Sequence, residues 1–204
     1  NKLTFQEYNI EFKTLERPKL KIKLKKISNH IKNQVYKLKK NVLIIGGSTG
    51  IGFDVLNILK INKKIKIFAT YNKNKINIHD KNIIKIKINL TKNIYLIKKI
   101  LKKFSPLIIY YFATPKIDIN LNNQNKKKIY KKFYIKYPLK IISFFKNKKI
   151  NFFYPSTIFI DDEKKSSYSR IKKIGETTLK KLSHSNLKIN ICRIAEVNTK
   201  QNLS

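Results

Sequence analysis

Four of the chain's five glycines lie within seven residues, Gly46-Gly47-Ser48-Thr49-Gly50-Ile51-Gly52, directly after the apolar run 42–45. The residues that follow, with Phe53, Val55, Leu56 and Leu59, carry the apolar spacing of a helix. A strand feeding a helix through a glycine turn constrains the local fold more than any other feature of this sequence. Gly46, Gly50 and Gly52 permit a tight turn, leave room for a diphosphate against bare backbone, and let the helix pack close to the strand. The helix N-terminus then offers N–H groups and a partial positive charge to an anion.

The same alternation continues along the chain. Short apolar runs at 42–45, 65–69, 83–88, 107–112, 152–154 and 187–192 are separated by amphipathic stretches at 52–60, 95–104, 126–145 and 168–182. Strands alternating with helices predict a parallel sheet covered on both faces, and right-handed crossovers make it doubly wound. The expected fold class is α/β, a three-layer doubly wound (Rossmann-like) domain over 41–204 with its ligand crevice at the carboxyl ends of the strands. Residues 1–40 read as an N-terminal extension. There Leu20, Ile22 and Leu24 alternate with Lys21, Lys23 and Lys25 at strand period, which leaves open an added strand, a linker or the tail of an upstream module.

Charge has to be weighed against composition. Lys, Ile and Asn, with 44, 36 and 23 residues, make up half of the chain, and their codons are rich in A and T. The formal charge of +36 is therefore read first as genome bias, because Arg, which grips phosphate bidentately, occurs only at Arg17, Arg170 and Arg193. No specific nucleic-acid partner is expected, and runs such as 126–128 read as solvated helix faces. No apolar run is long enough to span a bilayer, and the N-terminal residues lack the core of a signal peptide. The single Cys192 excludes an internal disulfide and fits a reducing compartment, so a cytoplasmic location is expected. His30, His79 and His184 lack ligand spacing, so no metal is expected. The absence of Met implies a trimmed start or a piece of a longer polypeptide.

A second constellation lies downstream. Tyr168 and Lys172 stand four residues apart, on one face of a helix. A phenol with a pKa of about 10 is a poor acid at neutral pH, but a neighbouring ammonium stabilises the phenolate and eases proton exchange with a substrate oxygen. Ser156 precedes Tyr168 by 12 residues, at the end of an apolar segment where the crevice should open. Its hydroxyl can donate to a carbonyl oxygen as charge develops there. Thr157 takes that place if the strand ends one residue later.

Together these features resemble the short-chain dehydrogenase/reductase family, whose loop reads TGxxxGIG. Gly50-Ile51-Gly52 matches the end of that loop, and Ile45 stands at its leading Thr. The resemblance implies that Ser156 is the carbonyl polariser, Tyr168 the proton donor, and Lys172 the ribose-binding, pKa-lowering partner. Asn89-Leu90-Thr91 resembles the family's adenine-side Asp-Leu-Thr, and Phe112-Ala113-Thr114-Pro115 stands where the family has Asn-Ala-Gly. At the end of the second strand, Thr70-Tyr71-Asn72-Lys73 has no carboxylate before Asp80, which implies NADP rather than NAD. Past the sixth strand, 193–199 resembles Arg-Pro-Gly-x-Val-x-Thr, which assigns Thr199 to the nicotinamide amide. The family's Asn in the long helix is unmatched, with Lys136 at its expected position.

The resemblance covers about 41–199, short of the family's substrate-covering segment. The cofactor contacts it implies are Gly46, Ser48, Thr49, Gly50, Ile51, Gly52, Tyr71, Asn72, Lys73, Asn89, Leu90, Ala113, Thr114, Tyr168, Lys172 and Thr199. The implied activity is NADP(H)-dependent carbonyl reduction or alcohol oxidation on a small-molecule substrate, with homo-oligomer formation left open. The alternative is a dinucleotide-binding sensor or pseudoenzyme without turnover.

Overall fold

The run Val42–Ile45 forms β1 at the centre of a six-stranded sheet. A computed structural model describes this protein over residues 28–104, 108–116, 121–145, 148–161 and 166–195. The other strands are β2 (Ile67–Tyr71), β3 (Ile83–Lys87), β4 (Ile108–Tyr111), β5 (Ile150–Thr157) and β6 (Leu187–Ile194). Their order is β3-β2-β1-β4-β5-β6 and every pairing is parallel. This is the Rossmann-like three-layer arrangement that the alternation of apolar runs predicts.

All four side chains of β1 are buried because each face of the sheet carries helices. Val42 and Ile44 join the core beneath α2 (Gly50–Leu59) with Leu56 and Leu59. Leu43 and Ile45 face the other core, with Ile97 of α4 (Tyr95–Phe104), Ile141 of α6 (Tyr137–Ser143) and Leu179 of α7 (Ser167–Lys180). The chain therefore switches sides at β1. The crevice of a doubly wound sheet opens at such a reversal, beyond the carboxyl ends of β1 and β4.

Two elements differ from the sequence expectation. Residues 29–36, read as part of an undefined extension, form α1 (Asn29–Tyr36), capped by Ser28, whose side chain accepts from Ile31 N at 3.3 Å. Val35 of α1 is buried in the α2-side core. Asn62, just beyond α2, ties the helix down by donating to the carbonyls of Val35 at 2.7 Å and Leu38 at 3.0 Å. The proposed strand at Leu20–Leu24 lies outside the described residues.

The long stretch 126–145 is also not one regular helix. α5 (Asn123–Lys131) passes through a π-turn at Lys132–Lys136 into α6. Pro138 accounts for the distortion, since it has no N–H for the carbonyl of Tyr134 four residues earlier. Tyr137 N instead reaches back five residues to Lys132 O, which also frees the carbonyl of Phe133. Two phenols from the sheet satisfy these carbonyls. Tyr111 Oη donates to Phe133 O at 2.6 Å, and Tyr154 Oη donates to Tyr134 O at 3.0 Å. Gly175 of α7 lies against this joint, where a Cβ would stand 2.6 Å from Tyr134 O and 2.8 Å from Tyr154 Oη.

Candidate functional site

The glycine turn sits where the topology opens the sheet. Gly46 and Gly50 have φ of 85° and 58°, in the left-handed region that favours glycine. At Gly46 a Cβ would also stand 2.8 Å from Ala113 N, so β1 and β4 approach here backbone to backbone. At Gly52 a Cβ would overlap the carbonyl oxygen of Gly46. The turn is latched sideways to β2, with Gly46 N donating to Thr70 Oγ1 at 3.1 Å and Gly47 N to Thr70 O at 2.9 Å.

The N-terminus of α2 differs from the helices around it. Ser28, Asn89, Asn122 and Ser166 cap α1, α3 (Leu90–Asn93), α5 and α7 with side-chain oxygens, quenching backbone N–H groups. Thr49, at the same position of α2, makes no such bond. The first-turn amides of α2 thus keep their partial positive charge for an anion.

A cleft of about 180 Å³ opens over this turn. Its lining brings together Gly46, Ser48 and Thr49 from the turn, Tyr71 and Asn72 from the end of β2, Asn89 and Leu90 after β3, and Ala113 and Thr114 after β4. Nine of the residues assigned to the cofactor from the sequence therefore share one cleft. Gly50, Ile51 and Gly52 lie in the helix start behind it, and Lys73 is exposed just beyond Asn72. Thr199 lies outside the described residues. Asn89 is partly committed, since its Oδ1 accepts from Thr91 N at 2.9 Å and Thr91 Oγ1 at 2.6 Å. Phe112 and Phe133 also line the cleft, although the sequence reading had assigned neither to the cofactor.

A larger, shallower hollow of about 970 Å³ lies at the amino ends of β2 and β3, lined by Lys63, Lys64, Lys66, Lys81 and Lys85. It is at the opposite end of the sheet from the glycine turn, so its size does not bear on the crevice. It does locate Asp80, the first carboxylate after β2, which is ion-paired there with Lys63. That pair holds the Asp80 carboxyl below its ordinary value. No carboxylate follows β2 within its carboxyl-end loop, 72–75.

From α7, Lys172 reaches toward β5 and Tyr168 packs toward α5 and the π-turn, in surroundings more aromatic than the sequence suggested. Lys172 is 4% exposed, and its Nζ donates to Pro155 O at 2.6 Å. The ammonium lies 4.3 Å from the ring centroid of Tyr134, 4.8 Å from Tyr154 and 5.9 Å from Tyr168. Those ring faces attract a cation. Burial nevertheless outweighs them and pulls the Lys172 pKa down to about 7. Tyr168 stands edge-on to Tyr130 at 5.6 Å and to Tyr134 at 5.4 Å. Its phenol lies above the ordinary value, pushed up by burial and by the Tyr130 phenol. A lowered phenol was expected from the neighbouring lysine. In this arrangement desolvation sets the sign.

Lys136 stands at the position where the sequence reading found the family's helix Asn unmatched. It is exposed, and the π-turn instead carries Tyr134 inward against Lys172. Spacing along a regular helix could not locate this residue, because the π-turn shifts every side chain that follows. Pro138 was the available signal.

β5 continues to Thr157, one residue beyond Ser156. Ser156 shares the α7 face with Phe152 and Tyr154, and its buried hydroxyl lacks a partner at hydrogen-bond geometry. Beside it on α7 lies Glu176, 4% exposed, which accepts from Arg193 Nη2 at 3.0 Å and Lys180 Nζ at 2.8 Å. Burial pushes the Glu176 carboxyl up, but Arg193, Lys180 and the Ser156 hydroxyl outweigh it and bring the pKa to about 2. Arg193 also reaches Asp161 at 2.7 Å, so β6, α7 and the turn after β5 are tied together. Thr157 Oγ1 accepts from Phe159 N at 3.4 Å, which leaves its own hydrogen to donate.

Among the described residues no group of His, Cys, Asp and Glu could hold a metal, and no helix is long and apolar enough to cross a membrane. No protein-family model and no curated protein matches the sequence. Solved structures do match the fold. A short-chain dehydrogenase family protein from Francisella tularensis is 22% identical with a TM-score of 0.68, over 81% of this chain and 74% of that one. An aldohexose dehydrogenase from Thermoplasma acidophilum is 16% identical with a TM-score of 0.63, over 81% and 70%. A UDP-glucose 4-epimerase from Thermotoga maritima is 17% identical with a TM-score of 0.62, over 75% of this chain and 54% of that one. The chain thus has the Rossmann-type fold of short-chain dehydrogenases/reductases.

Proposed function

We propose that the protein is an NADP(H)-dependent oxidoreductase of the short-chain dehydrogenase/reductase type, interconverting a small-molecule carbonyl and alcohol. The observation that carries this reading is the uncapped N-terminus of α2 behind a left-handed glycine turn, at the switch point of the sheet. A diphosphate fits there because the side chains that would fill the approach are absent and the helix amides are not quenched. When bound, a nicotinamide dinucleotide supplies the hydride for reduction. Ser48 and Thr49 hold its phosphates with the first-turn amides, while Tyr71, Asn72 and Lys73 receive the adenosine ribose. Without a carboxylate in that loop, a 2′-phosphate meets no repulsion, which favours NADP over NAD.

On the reaction side, Tyr168 gives its phenolic proton to the substrate oxygen. Lys172 is the group whose charge lowers the cost of the phenolate, once it turns from Pro155 O toward the nucleotide ribose. The polarising hydrogen bond is better assigned to Thr157 than to Ser156. An oxyanion forming beside Ser156 would face the Glu176 carboxylate across a short, poorly screened gap. The exchange of Tyr168 for Phe tests the reading. Turnover of NADPH over a carbonyl panel should fall about 10²–10⁴-fold, with NADPH affinity changed only a few-fold. Retained turnover would remove Tyr168 from the chemistry, and tight NADPH binding without turnover in the parent protein would favour the sensor.

A further inference from the structure

We propose that Tyr134 is a positioning residue for the reaction, the face of its ring holding the Lys172 ammonium in place beside Tyr168. The inference rests on the reductase reading above and adds to it a residue that the reading had not used. Lys172 Nζ lies 4.3 Å from the ring centroid of Tyr134, nearer than to Tyr154 at 4.8 Å or Tyr168 at 5.9 Å. Lys172 and Tyr134 are each 4% exposed. A cation over a ring face shielded from water gains more than the same pair at the surface. Nζ carries three N–H donors, and Pro155 O takes one of them at 2.6 Å. The ring acts on the charge and uses up no donor, so the ammonium can exchange Pro155 O for another acceptor while it stays over Tyr134.

The fold holds this ring firmly. The π-turn before Pro138 carries Tyr134 inward, and Tyr154 Oη pins its carbonyl at 3.0 Å. Gly175, one turn along α7 from Lys172, lets that helix close on the same carbonyl, since a Cβ there would stand 2.6 Å from Tyr134 O. Tyr134 also meets the Tyr168 ring edge-on at 5.4 Å, so it touches both members of the proton-transfer pair.

Burial leaves the Lys172 pKa at about 7, so small changes around the ammonium alter how much of it is charged. The titratable groups around it are Tyr134 from the π-turn, Tyr154 from β5 and Tyr168 from its own helix. Glu176, one turn further along α7, is held by Arg193 and Lys180. Tyr130 of α5 packs on Tyr168 and Tyr134.

The test changes the electrostatics of the ring and keeps its shape. Tyr134→Phe retains the ring face, and the 3,5-difluoro and pentafluoro forms of that phenylalanine weaken and then reverse its attraction for a cation. Their similar volumes keep the core packed. In protein labelled with ¹³Cε-lysine, the Lys172 resonance is identified by its loss in Lys172→Arg. It should titrate about one pH unit lower in the pentafluoro form than in Tyr134→Phe, with the difluoro form between them. Relative to Tyr134→Phe, kcat of the pentafluoro form should fall about tenfold at pH 8 and stay within about twofold at pH 5.5, where Lys172 keeps most of its protons. A Lys172 titration that does not move across the series would overturn the contact. A titration that moves while kcat at pH 8 stays constant would overturn its part in the reaction. A parent protein without turnover would overturn the reductase reading itself, and the titration, which needs neither cofactor nor substrate, would still decide whether the ring holds the charge.

Discussion

The two halves of the crevice follow different rules. On the β1–β3 side, backbone dominates: a left-handed glycine turn and an uncapped helix start leave main-chain amides without side-chain partners. On the β4–β6 side, side chains dominate. Lys172 is caged by tyrosine rings, a π-turn replaces regular helix, and a buried carboxylate is tied to Arg193. Backbone recognition tolerates wide sequence change provided the glycines stay. A wall of side chains must rebuild its contacts whenever a residue changes.

The sharpest way to break the contrast is at Gly52. Adding a methyl there forces overlap with Gly46 O, a backbone atom that cannot step aside. Gly52→Ala should therefore cost about 1–3 kcal/mol of stability by overpacking. NADPH binding, followed by nicotinamide fluorescence, should weaken at least tenfold in the fraction that folds. Wild-type affinity would mean that the turn is not where the diphosphate sits.

On the reaction side, Thr157→Val should cost about 10²–10³-fold in kcat, the usual loss for one oxyanion donor. Ser156→Ala should cost less than tenfold, because that hydroxyl faces Glu176. The reverse ranking, read from steady-state kinetics of both variants, would restore Ser156 to the role that sequence spacing gives it.

The smallest effect is one of pH. The Glu176 carboxyl falls from an ordinary 4.5 to about 2 on folding. A carboxylate lowered in this way contributes stability that is fully present above about pH 4.5 and drains away as pH falls toward 2. Glu176→Gln should cost about 1–3 kcal/mol at pH 7, with the half-exposed Arg193 keeping the figure modest. The gap in melting temperature between the two proteins should close across that acid window. A gap that is constant with pH would show that the charge contributes nothing.

Sequence pattern reached the backbone half of this molecule and stopped at the side-chain half. The runs that form β1, β2 and β4 are buried almost throughout, while the edge strands β3 and β6 expose alternate residues, and such runs alternating with helices admit few arrangements besides a doubly wound sheet. The glycine turn was legible because its geometry excludes other residues. Tyr134 was not, because counting along a helix presumes 3.6 residues per turn and Pro138 had already broken that period. The choice between Ser156 and Thr157 depended on where β5 ends, a boundary that apolar pattern locates only to within a few residues. α1 went unread because its single buried residue, Val35, gives no amphipathic stripe, and its anchor is the distant Asn62.

The most direct measurement is a crystal structure of the protein with NADPH. The account predicts the diphosphate over the amides that open α2 and the 2′-phosphate beside Tyr71, Asn72 and Lys73. It also predicts the nicotinamide ribose within hydrogen-bond reach of Tyr168 and Lys172. A dinucleotide bound elsewhere, or one seated at the turn with its ribose turned away from both side chains, would contradict it.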